Sequence, residues 1–247
     1  YNRGFPFFKV YKWLCYANMT ESGKILDEDK KDYFKRREIS YVKLTADGKE
    51  EFTIRHLCYD NPKAFEVNAK QMNPIRIDIG PVCDIPPEVN KNNLGDKKAV
   101  AEEREYVIDI DMNDYDSIRT CCSGASMCQS CWRYISAAQK VLEPSLKDDF
   151  GFRHILWVFS GRRGVHAWVC DERARVMDNN IRSSVTEYLS LAISNEKSDR
   201  MVKDAVIRDL GYGLFNRSYA ILEPIFEDFM VVEQAYFWYD KNIERVF

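Results

Sequence analysis

"REYVIDIDMNDY", residues 104–115, gives two alternate positions of an otherwise apolar strand to aspartate. In an extended chain Tyr106, Ile108 and Ile110 point to one side, while Asp109 and Asp111 share the other, roughly 6 to 7 Å apart. Carboxylates that close repel unless something positive lies between them. Such a pair can offer oxygen ligands to one or two hard divalent cations, and two metals ~3.5 to 4 Å apart are the usual device for in-line displacement at phosphorus. An edge strand with solvent-facing aspartates accounts for a bare D-x-D as well, and the further acids Asp114 and Asp116 fit either reading.

Working outward, "HILWVFS" and "VHAWVC" are two apolar runs around the Gly-flanked turn "GRRG", which predicts a hairpin. Gly161 and Gly164 let the backbone turn tightly and approach a ligand, and Arg162 and Arg163 supply forked donors that match phosphate oxygens. Ser160 and His166 add two further polar groups within the same seven residues. A basic exposed turn with one buried histidine explains any single piece. Convergence of all four, with an acid pair elsewhere in the sheet, points to acid for metal and base for triphosphate, the two halves of a nucleotidyl-transfer site.

Between these segments lies "CCSGASMCQSC", with Cys121, Cys122, Cys128 and Cys131 inside eleven residues. Four thiolates so close can close a tetrahedral zinc site, and a site of that kind is structural because no coordination position stays open. A redox dithiol at Cys128 and Cys131 is the competing reading. The other four cysteines are scattered singly, which argues against a disulfide framework and for a reducing compartment.

The 247 residues are 45% hydrophobic and 30% charged, enough for a sizeable core and unlike a disordered chain. No apolar run approaches the ~18 to 20 residues of a membrane span. A net charge of −3 leaves any nucleic-acid contact to local patches. The chain starts at Tyr1 and shows no signal peptide, so it reads as a piece of a longer intracellular protein. Aromatics at helical spacing predict a helix within 5–18; "EISYVKL", "EFTIRHL" and "IRIDIG" predict a small sheet; residues 80–103 predict a surface loop. A helix follows the cysteines and should kink or end at Pro144. Another starts near 175, with Ile181, Val185, Tyr188 or Leu189 and Ala192 on one stripe, and residues 201–239 read as two or three helices.

"MNPIRIDIG", "YVIDIDMNDYDSIRTCC", "CQSCW" and "DDFGFRHILWVFSGRRGVHAWVCDE" resemble, in order, the motifs of the catalytic small subunit of eukaryotic and archaeal DNA primase, with the eukaryotic branch the better match. The likeness spans residues 1 to about 195, and the helical tail more loosely. It implies an α/β fold: a mixed α+β catalytic core over 1–195, including a zinc loop at 121–131, with a helical appendage over 196–247.

The resemblance further implies that Asp109 and Asp111 hold catalytic Mg2+ or Mn2+ and that Ser160, Arg162, Arg163 and His166 grip the incoming triphosphate. Glu38 in "KRREIS" matches an active-site glutamate, and Arg55 in "FTIRHL" and Asp78 in "RIDIG" match positions near the nucleotide and its sugar. Without the resemblance these three read as surface ion pairs. It also implies RNA primer synthesis on single-stranded DNA from ribonucleoside triphosphates, in the nucleus, beside a primase large subunit and a replicative DNA polymerase. The family's third aspartate, on a later strand, has no match after residue 200, so this stretch alone is expected to make primers poorly. Two alternatives share part of this pattern: a repair or translesion primase-polymerase, against which the four-cysteine insertion argues, and a non-catalytic zinc module that binds nucleic acid, for which only Arg119, Trp132 and Arg133 qualify around the cysteines.

Overall fold

The structure, a computed structural model, describes residues 4–91, 98–190, 192–193, 206–207, 213–239 and 243. The chain divides into two compact units, Tyr1–Arg104 and Glu105–Phe247. Both are mixed α/β, as expected.

In the first unit, helix α1 (Phe7–Leu14) buries Phe7, Tyr11 and Leu14, three side chains one turn apart on one stripe. Strands β1 (Arg37–Leu44), β2 (Glu51–Leu57), β3 (Arg76–Cys83) and β4 (Ala101–Glu103) form an antiparallel sheet in the order β2-β1-β3-β4. Ile39, Tyr41, Ile54 and Ile79 turn one face of it onto a core with Phe34 and Phe65. Helix α2 (Pro62–Met72), not anticipated, lies between β2 and β3. Its signals are local: Asn61 caps it by accepting from the Ala64 N–H at 2.9 Å, Pro62 occupies the first turn, and Phe65 and Ala69 bury one face. The stretch expected as a loop, 80–103, instead finishes β3, makes a short 3-10 turn at Pro87–Lys91 and adds β4. Residues 92–97 of that stretch lie outside the described residues.

In the second unit, β5 (Tyr106–Asp111), β6 (Ile155–Phe159) and β7 (Gly164–Val169) form an antiparallel sheet ordered β5-β7-β6, and β6 and β7 are the expected hairpin. Helix α3 (Cys131–Asp148) does not stop at Pro144 but ends one turn beyond it. Proline deletes one helical hydrogen bond, yet Leu146 is fully buried in the core and anchors the last turn. Helices α4 (Glu172–Arg175) and α5 (Asn179–Leu189) follow. Of the expected stripe Val185 is buried and Leu189 packs against the same core, but Ile181 is exposed and Ala192 belongs to a strand. That strand, β8 (Ala192–Ile193), pairs antiparallel with β9 (Val206–Ile207), so the tail after residue 200 is not purely helical. Helix α6 (Leu214–Phe226) runs through Pro224 into a π-helical turn, Glu227–Glu233. The boundary expected at 195/196, and the helices expected over 201–205 and 208–212, lie outside the described residues. Phe229 of the π-helical turn shares a core with Ile110, Tyr134 and Ile135.

Candidate active site and metal centre

In the ladder between β5 and β7, Asp109 stands opposite His166 and Asp111 opposite Gly164. Alternation therefore puts both acids and the imidazole on one face, with Ile110 and Val165 in the core behind them. His166 Nε2 lies 3.3 Å from Asp109 Oδ1. The Arg163 Nε–H donates to Asp111 Oδ1 at 2.8 Å, and the Asn113 backbone N–H donates to the same oxygen at 2.9 Å. The Asn113 N–H and then the Arg163 guanidinium hold the Asp111 carboxyl below the usual carboxylate range. The Asn113 side-chain amide, oriented to satisfy its neighbours, accepts from Arg163 Nη2 and donates to the Gly124 carbonyl. Each acid thus has a basic side chain beside it, the Arg163 guanidinium at Asp111 and the His166 imidazole at Asp109.

The turn positions these donors. The Ser160 N–H donates to the Gly164 carbonyl at 3.0 Å, and Ser160 Oγ accepts from the Gly164 N–H at 3.1 Å, closing the loop that carries both arginines. Gly161 sits at φ +91°, where a side chain is strained. At Gly164 a Cβ would lie 2.4 Å from the Ile110 carbonyl oxygen, so only glycine lets β7 come this close to Asp111. Ser160 and Arg162 are exposed. Asp109, with 68% of its side chain accessible, and Asp111, with 39%, present two hard oxygen donors on one face, a donor set that fits Mg2+ or Mn2+.

Glu38, Arg55 and Asp78 belong to the first unit, on β1, β2 and β3. Their neighbours Ile39, Ile54, Ile77 and Ile79 face the core, so all three lie on the sheet's opposite face. Asp78 forms the ion pair that its residue type allows, and Glu38 lies beside a histidine. Arg76 holds Asp78 through two hydrogen bonds, of 2.8 and 3.3 Å, and Glu38 Oε1 lies 3.0 Å from His56 Nδ1. Arg55 is exposed.

The cysteine cluster closes in space. All four Sγ atoms lie within 4.8 Å of one another, with Cys121 to Cys131 at 3.6 Å and Cys128 to Cys131 at 3.8 Å. A tetrahedron of thiolates ~2.3 Å from zinc has edges of about 3.8 Å, so the donor set fits zinc. Cys128, hydrogen-bonded by the Cys131 N–H at the start of α3, has its thiol pushed down to about 6, whereas desolvation and the neighbouring thiols push Cys122 up to about 12. A cation is what allows all four to ionise together.

Two supports of this cluster have no motif. Arg119 is 4% exposed: its Nη1 donates to the Ser126 carbonyl at 3.0 Å and reaches Cys131 Sγ at 3.4 Å, and its Nη2 donates to the Gly124 carbonyl at 2.9 Å. Its Nε donates to Asp116 at 2.6 Å, and Asp116 also accepts from the Gly124 N–H at 2.8 Å. Gln234, buried and more than a hundred residues away in sequence, accepts from the Thr120 N–H at 2.9 Å and donates to Cys121 Sγ at 3.5 Å. Only the acid-and-cysteine spacing around Arg119 hinted at its role; nothing local marks Gln234. Arg133 lies over the Phe229 ring and pairs with Asp228 and Glu233. With Arg119 buried and Arg133 engaged, two of the three groups that a zinc module would offer nucleic acid are already occupied.

The family profile described as DNA primase small subunit matches residues 108–239. Proteins named "DNA primase small subunit" are similar along nearly the whole chain: 37% identical in Drosophila melanogaster, over 100% of this chain and 52% of the relative, and 36% in Caenorhabditis elegans, over 98% and 54%. The Schizosaccharomyces pombe protein of the same name is 34% identical over 95% of this chain and 48% of its own length. The chain thus spans about half the length of these relatives. A profile covering more than half of the chain, together with matches along its full length, shows that the chain belongs to the DNA primase small subunit family.

Proposed function

We propose that the protein is the nucleotidyl-transferring subunit of a DNA primase, joining ribonucleotides into short RNA primers on a single-stranded DNA template. The observation that carries this reading is the β5–β7 pairing, which sets Asp109 and Asp111 beside His166 and Arg163 on one sheet face. Asp109 and Asp111 are the ligands for Mg2+ or Mn2+, which when bound neutralises phosphate oxygens and acidifies the attacking 3′-hydroxyl. Arg163 and Arg162 offer forked donors to the triphosphate, and Ser160 Oγ and His166 Nε2 add single donors. The Arg163 guanidinium and the His166 imidazole lie beside the two carboxylates, so the turn that carries these donors is held next to the metal ligands. In the first unit, Asp78 is the acceptor for a ribose hydroxyl that deoxyribose lacks, Arg55 a nucleotide contact and Glu38 an active-site acid.

The zinc in this reading is structural, because four thiolates leave no coordination position open. The chain spans about half the length of these relatives, so the proposal concerns the full-length protein. A primase large subunit and a replicative DNA polymerase are its proposed partners and the nucleus its proposed location, by analogy with the eukaryotic relatives. Among the described residues no helix is long and apolar enough to cross a membrane.

Dinucleotide synthesis from ribonucleoside triphosphates on a single-stranded template is the test. Asp109→Ala and Asp111→Ala in the full-length protein should abolish it while zinc content and DNA binding persist. Undiminished synthesis by either variant would remove these acids from the chemistry.

A further inference from the structure

The pairing of β1 with β2 contains one irregularity. Tyr41 pairs with Ile54 but Ile39 with Leu57, so β2 takes three steps where β1 takes two, a bulge at Arg55 and His56. His56 sits there at φ +59°, in the left-handed region, which is uncommon for residues other than glycine but which histidine enters more readily than most. At this bulge the His56 amide and imidazole both lie beside one carboxylate oxygen. The His56 N–H donates to Glu38 Oε1 at 3.3 Å, and His56 Nδ1 lies 3.0 Å from the same oxygen. Nδ1 is sealed from solvent and is not aligned for a linear hydrogen bond with any group, so Glu38 is its near neighbour by position rather than by ideal geometry. On the other side, a Cβ at Gly80 would lie 3.0 Å from both the Cβ and the carbonyl oxygen of Glu38, so β3 crowds the base of the same side chain.

We infer that His56 is a positioning residue for Glu38: the bulge donates its amide N–H to one carboxylate oxygen and sets its ring beside the same oxygen, and so fixes how Glu38 is held on the face of the sheet away from the core. Backbone strain of this kind persists where the surroundings over-determine it, and its use here is direction. The inference rests on the reading of Glu38 as an active-site acid. It differs from that reading in what it predicts: His56 touches no substrate and acts through Glu38 alone.

The test uses the zinc-loaded full-length protein, with kcat and KM for dinucleotide synthesis measured beside thermal melts. His56→Gly keeps the backbone N–H, relieves the positive φ and deletes the ring. It should melt no lower than the parent yet lose roughly 10-fold in kcat. His56→Asn, which tolerates this backbone region and retains a side-chain donor, should recover most of the loss. In a Glu38→Gln background, itself impaired, His56→Gly should have no further effect, because the two residues act as one unit. An additive loss in the double variant, or full activity of His56→Gly while Glu38→Gln is impaired, overturns the inference. Full activity of Glu38→Gln overturns the reading of Glu38 beneath it, and the inference with it.

Discussion

The acid pair on β5 and the cysteine cluster that follows it gather potential metal-ligand atoms within some twenty residues of chain, and the fold treats them in opposite ways. The carboxylates stay accessible, with His166 beside Asp109 and with Arg163 and the Asn113 N–H on Asp111, and a cation or a phosphate can displace the two side chains. The thiols converge on one another, Cys131 is fully buried, and Arg119 and Gln234 tie the loop around them. Accessibility and replaceable partners suit a site where ligands come and go; closure suits a permanent brace. What separates the two is geometry: a sheet spaces the acids and turns them outward, whereas a loop folded onto a helix start draws the thiols inward.

The comparison breaks most readily at the acids. Asp111→Ala in the full-length protein should lower primer synthesis by about 1,000-fold or more, some 4 kcal/mol of transition-state stabilisation, with little change in melting temperature. A comparable loss of stability would mean that Asp111 braces the fold rather than the chemistry. The reverse profile is expected at the brace. Cys131→Ser should release zinc, seen by metal analysis, and cost about 3 to 4 kcal/mol in denaturant unfolding. Retained stoichiometric zinc would place the metal elsewhere.

Arg119→Met tests whether the guanidinium is part of that brace. Removing its hydrogen bonds to the Gly124 and Ser126 carbonyls should cost roughly 2 to 3 kcal/mol, and DNA affinity should fall no further than stability explains. A selective loss of DNA binding would revive the nucleic-acid role for this residue. Gly164→Ala forces a methyl against the Ile110 carbonyl oxygen and should cost about 1 to 3 kcal/mol, with activity falling more than stability because β7 is pushed away from Asp111. The smallest effect is expected for Gln234→Ala, an outer support of Cys121: about 10-fold weaker zinc binding in a competition titration, with nucleotide affinity unchanged.

Much of this was legible because it is local. Alternation placed Asp109 and Asp111 together on one face of β5, and glycines at 161 and 164 announced the hairpin that brings Arg163 and His166 to them. Helix α2 was equally local, with Asn61 as cap and Pro62 behind it, but three neighbouring β-rich runs drew the reading toward a sheet alone. At Pro144 the helix does not end: the lost hydrogen bond is local, while the burial of Leu146 that carries the helix past it is not. Arg119 qualifies, by residue type and closeness to the cysteines, as one of the three groups that a nucleic-acid-binding zinc module would need; packing buries it.

By itself the sequence determined the acid pair, the glycine-flanked basic turn, the four-cysteine spacing and, through their order, the family, since each depends on neighbours within a few residues and on the two-residue period of a strand. Tertiary structure alone decided that Asp109 meets His166 and Asp111 meets Arg163, that Gln234 reaches back to Cys121, and that a bulge turns His56 onto Glu38. Those contacts are set by strand register and by the packing of distant segments, where a shift of one residue would send every side chain to the opposite face.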